Sequence, residues 1–165
     1  MTLRAVKERL AVELANLTVP TIIAETQPLP AVVLTAPPTV DILDAPRLWL
    51  WAQDSSEQRL GGPRAGGIGT KQVSYQCQIA AMWTFDPATS DPLQFDDLLD
   101  AILARVGAIS LPQQLTDSQT GATSTLLKIG EEFTVRREPP TALQQQGLLL
   151  YVAVVETSVW ELVQR

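Results

Sequence analysis

The chain of 165 residues has no histidine, one cysteine and few charges, 18% of its residues against 45% hydrophobic. Without an imidazole the usual activator of a serine or cysteine nucleophile is missing, which removes most catalytic triads. Metal centres built from cysteine and histidine fall with it, leaving only carboxylate clusters as ligands. Cys77 has no second cysteine to pair with, so neither a disulfide framework nor an oxidising compartment is implied. No apolar run reaches the ~18 residues of a membrane-spanning helix. The opening stretch spreads its charges instead of separating a basic end from a greasy middle, so no signal peptide and no membrane partner is expected. Net charge is −6, and the basic residues form no stripe. A sequence-independent grip on nucleic acid is therefore disfavoured. Low charge beside a large apolar fraction suits a chain that hides much of its surface in an assembly.

What is present starts with residues 71–84, KQVSYQCQIAAMWT. Side chains alternate along a strand, so Val73, Tyr75, Cys77, Ile79, Ala81 and Trp83 share one face, which belongs in a core. Gln72, Ser74, Gln76, Gln78, Ala80 and Met82 share the other, which carries no charge. A strand face left in water usually recruits Lys, Glu or Arg. The neutral face is therefore expected to be a contact surface, with Gln72, Gln76 and Gln78 as candidate contacts.

The rest of the pattern predicts a single domain of the α+β class, a mainly antiparallel sheet with two helices packed on one face. Leu3, Val6, Leu10, Leu14 and Leu17 make a stripe on a first helix over 3–17. Prolines 20, 28, 30, 37 and 38 then interrupt residues 18–46, read as an ordered connecting arm with room for short extended pieces such as 31–35. Residues 47–53 form a strand with Trp49 and Trp51 on one face, which makes them interface anchors if that face lies outside the core. Residues 54–70, rich in glycine, are expected to be the flexible tip of a long β-hairpin. A second helix over 93–106 follows Pro92, with Gly107 as its left-handed stop and Asp96, Asp97 and Asp100 near its positive end. Residues 108–125 read as polar and irregular, then short strands fall near 126–129 and 133–137. The run 147–155 reads as a central strand covered on both sides, with a partly alternating continuation over 156–163.

Three local signals have a functional and an ordinary reading. Residues 66–71, GGIGTK, superficially look like a phosphate-binding loop, but Thr70 separates glycine from lysine and the segment leads into a strand. In the tip, Arg59, Leu60, Arg64 and Ile68 are unusual ornaments for a spacer and are expected to order on docking to a partner. Asp96 and Asp100 lie one helical turn apart, a geometry open to carboxylate-only hydrolysis but far commoner on solvated surfaces.

The order of LRAVKERLAVEL, KQVSYQCQIAAMW, PLQFDDLLDAILARV, KIGEEFTV and LLLYVAVVE resembles the tail terminator and neck, or head–tail joining, proteins of long-tailed bacteriophages. That resemblance implies a non-enzymatic structural protein without cofactors, assembled in a bacterial cytoplasm and carried in the virion. It implies a homo-oligomeric ring, commonly of about six subunits, that caps the tail tube and meets the head connector. Its partners would be the tail tube protein and the connector or stopper protein, with DNA only passing through the hole. Other neck, head-completion or tail-tube proteins share this layout.

Overall fold

The computed structural model describes residues 3–15, 17, 31–33, 47–60, 69–84, 92–138 and 150–164. Its elements are helix α1 (Leu3–Ala15), strands β1 (Ala31–Val33), β2 (Arg47–Arg59) and β3 (Thr70–Thr84), helix α2 (Pro92–Gly107), and strands β4 (Gln113–Thr116), β5 (Thr123–Lys128), β6 (Phe133–Arg137) and β7 (Leu150–Gln164). The strands form one seven-stranded sheet in the order β1-β2-β3-β7-β5-β4, with β6 also pairing β7. β1 runs parallel to β2, and every other pair is antiparallel. The fold is α+β, as the sequence pattern predicts.

Period-two alternation on β3 and β7 divides the sheet into two unlike faces. On the inner face, Val73, Tyr75, Cys77, Ile79, Ala81 and Trp83 of β3 join Ala153, Val155, Val159 and Val163 of β7 in the main core. Both helices supply the other half. Val6, Leu10 and Leu14 of α1 and Leu98, Leu99, Ile102 and Val106 of α2 are at most 1% exposed in that core. The leucine stripe of α1 thus does what its spacing foretells, although the helix ends at Ala15. Glu13 fastens the two helices: it is buried and receives Arg9 of its own helix and Arg105 of α2, the latter at 2.7 Å. Phe95 of α2 stacks on Tyr151 of β7 with ring centroids 5.4 Å apart.

Several sequence expectations need correction. β2 does not stop at 53 but stays paired with β3 to Arg59, so residues 54–59 are strand and not flexible tip. Only 60 and 69–70 of the expected tip are otherwise described; Arg64 and Ile68 lie outside the described residues. Pairing with a long partner outweighs the loop-like composition of DSSEQR. The short extended piece expected within the arm is not among the corrections: residues 31–33 form β1 at the sheet edge, and the rest of 18–46 lies outside the described residues. β4 lies inside the stretch read as irregular, because only Leu115 of its four residues is buried. α2 runs through Gly107, which is not left-handed; among the described residues the positive-φ glycines are Gly121 and Gly130. No acidic residue stands in the first turn of α2 from Pro92, so Asp96, Asp97 and Asp100 lie beyond the strongest part of the helix dipole.

Candidate interaction surface

Between Gln53 and Ser55 the β2–β3 register shifts by one residue, with Asp54 as the extra one. A bulge of this kind flips the alternation that follows it. Before the bulge, Trp49, Trp51 and Gln53 stand on the outer face opposite Ala80, Gln78 and Gln76. After it, Ser56 and Gln58 take over that face opposite Ser74 and Gln72, while Ser55, Glu57 and Arg59 turn to the helix side. Beyond Arg47, which stands on this face opposite Met82, the outer face therefore stays neutral along β2 as well as β3.

That face has two halves. Towards Arg47, Trp49, Ala80, Met82 and Val152 form a second buried cluster, with Trp51 and Val154 packed against it. Trp49 is only 6% exposed, and the Arg47 guanidinium lies 5.6 Å from its ring centre. Trp49 thus serves the chain's own packing instead of standing free as an anchor. Gln78 is likewise buried: its amide donates to Gln53 Oε1 at 3.0 Å and Glu156 Oε1 at 2.8 Å. Arg136 of β6 reaches Glu156 at 3.3 Å, so a polar row crosses β2, β3, β7 and β6. These cross-strand bonds give the glutamines an internal reason to be there.

Towards the hairpin end the face is more open. Ser56 and Ser74 hydroxyls meet at 2.7 Å, and Ser158 donates to Gln76 Oε1 at 3.1 Å. Together with Ser55 and Trp160 they bound a shallow depression of about 480 Å³. Gln72 and Gln76 are half-buried, whereas Ser55, Ser56, Glu57, Gln58, Arg59 and Leu60 are all exposed. Of the candidate contacts, then, Trp49, Trp51, Gln72, Gln76 and Gln78 share one face; Arg59 points to the other, and Leu60 stands past the strand end. Trp160, 40% exposed on β7, was not among them. Its parity with Ser158 and Glu156 was the available signal, but it needed the register of β7 on β3 to be read.

The inner face holds polar groups the sequence analysis also passed over. Glu161 is fully buried, accepts a hydrogen bond from Ser124 Oγ at 3.0 Å through one oxygen, and has no partner on the other among the described residues. The Tyr75 hydroxyl is also buried without a partner among the described residues, and its pKa is pushed well up by burial and then by the Glu161 charge. Burial pushes the Cys77 thiol up to about 12, against a lesser opposite pull from Lys7. A thiol so held is a poor nucleophile.

For the carboxylate reading, Asp96 is engaged by Arg137, while Asp100 is exposed. Among the described residues no group of His, Cys, Asp and Glu side chains could hold a metal ion. No helix among them is long and apolar enough to cross a membrane. Set against known proteins, the chain matches no family model and no curated protein.

Proposed function

We propose that this chain is a structural subunit of a long-tailed phage or phage-like particle, a tail terminator that forms a ring on the finished tail tube. The observation that carries the reading is the β2–β3 hairpin. Its 13- and 15-residue strands run well past the usual five or six, and Ser55–Leu60 at its far end is exposed throughout. A ribbon with a neutral outer face, ending in Arg59 and Leu60, is suited to lying between neighbouring molecules. In this reading the work is done by occupying a surface: one side of the ring matches the last tube layer, and the other offers no site for a further tube subunit. The head connector binds that second side, and DNA passes through the hole unread. No residue has a chemical role, and no cofactor is required.

The test is the mass of the purified protein across concentration, alone and with tail tube protein. A closed ring that stops tube growth is the expected outcome. A monomer that ignores the tube end at every concentration overturns the reading, and growth of the chain itself into long tubes replaces it with a tube-subunit role.

A further inference from the structure

The charges of this acidic chain are unevenly distributed. From Gln58 to Phe85 the sequence holds Arg59, Arg64 and Lys71 and none of the 18 acidic residues. Lys71 is engaged by Glu57 at 2.7 Å. Arg59 is exposed and has no ion-pair partner among the described residues, and beside it Leu60 is 51% exposed. Among the described residues, the end of β2 thus offers a cation without an ion-pair partner next to an exposed aliphatic side chain.

A complementary pair of features sits at another place on the molecule. Trp160 is one of four large hydrophobic side chains left exposed among the described residues, and Leu60 is another. The Lys128 ammonium lies 5.9 Å from the Trp160 ring centre and is itself paired with Glu131 at 2.5 Å. Glu132, next in the turn between β5 and β6, is exposed and has no ion-pair partner among the described residues. This corner thus holds one cation and two carboxylates, Glu132 acting on Lys128 from the same turn, around a ring that stays 40% exposed beneath Lys128. One copy does not satisfy its own pair. Trp160 lies opposite Ser74, four residues or ~13 Å along β3 from Thr70, whose carbonyl accepts the Leu60 amide. Moreover, the bulge turns Arg59 to the helix side, away from the face that carries Trp160.

We propose that the occupant of the Trp160 corner is the hairpin end of a second copy, with Leu60 against the indole and Arg59 beside Glu132. Because the two patches differ, the contact is head-to-tail, the kind that closes into a ring. The proposal rests on the assembly reading above and names the surfaces that assembly uses. An arginine and an aromatic ring with opposite charges at the rim have the composition of an interface centre.

The test mixes two full-length variants, Gln58→Cys and Glu131→Cys, which leave Arg59, Leu60, Trp160 and Glu132 in place; buried Cys77 stays out of reach of the reagent. A short bismaleimide is expected to link the two variants to each other and neither to itself. Arg59→Glu and Glu132→Arg should each weaken association about tenfold, the double swap should restore it, and added salt should weaken the parent. Linkage of Gln58→Cys to itself overturns the proposal in favour of a two-fold contact between tips. A ring that forms normally with no cross-link and no effect of either charge change overturns the contact while leaving the proposed function standing. A chain that remains monomeric at all concentrations and on the tube end overturns both.

Discussion

Gly130 lies in the turn between β5 and β6 with φ +72°, a conformation that costs an L side chain about 1–2 kcal/mol. A Cβ there would also come within 2.9 Å of the Val106 carbonyl oxygen and 3.0 Å of the Gly107 Cα, both backbone atoms at the end of α2. Its amide donates to the buried Thr157 hydroxyl at 3.1 Å, so the turn has little freedom to move away. Gly130→Ala is expected to destabilise the protein by about 2–4 kcal/mol, read as a lower denaturant midpoint. Cys77 gives a pH-dependent prediction. Folding raises its thiol from the ordinary 9.0 to about 12, so the neutral form is favoured in the core and the unfolded chain loses its proton first. The corresponding stability is complete below pH 9 and is lost as pH climbs from there towards 12. Unfolding followed against pH should show that alkaline loss and Cys77→Ala should reduce it; in native protein near neutrality, a thiol reagent should leave Cys77 unmodified. Tyr75→Phe removes a buried hydroxyl that has no partner among the described residues, and equilibrium unfolding should show a change within about 1 kcal/mol or a gain.

At the scale of elements, Asp54 is the extra residue where β2 shifts register on β3. Deleting Asp54 would set Ser55 directly after Gln53 and give plain alternation with the present pairs, keeping Ser56 and Gln58 on the outer face and Glu57 and Arg59 on the helix side. The Lys71–Glu57 pair and the Ser56–Ser74 contact are therefore expected to survive the deletion, visible as amide exchange in residues 55–60 no faster than in the parent. The helix pair depends on Glu13. Its two arginine partners are partly exposed, so Glu13→Ala should cost about 1–2 kcal/mol, less than a fully buried pair, and a double-mutant cycle with Arg105→Ala should show coupling. These elements also mark what was legible beforehand. The α1 stripe and the β3 alternation carry their own period, so both were readable without coordinates. β4 and the second half of β2 carry none: QQLT and DSSEQR are strands because β5 and β3 lie alongside them.

For the whole molecule, the open half of the outer sheet face is where the proposed assembly can be separated from stability. Gln72→Lys with Gln76→Lys adds charge at half-buried positions beside the Ser158 contact, outside both apolar clusters. The pair is expected to shift the melting temperature by no more than about 5 °C while reducing the proposed ring formation, as separate melting and mass measurements would report. The same change at Trp49 would report on folding instead, since that ring is packed inside the protomer. The candidate contacts from the sequence mixed these two kinds of residue because Trp49 and Gln72 belong to the same alternating pattern, and alternation assigns a face without saying how much of it the chain covers.

Composition alone excluded a histidine-based active site and a disulfide framework, because both depend on residue counts that no folding can change. Periodicity alone established the α+β class and the inner face of β3, because side-chain direction follows from backbone geometry within a single element. Strand order, the bulge, the pairing of Glu13 with two arginines and the burial of Trp49 were decided by tertiary structure. Each of these depends on what residues distant in the chain bring alongside, and that is set by the energy of the packed whole and not by the preference of any one segment.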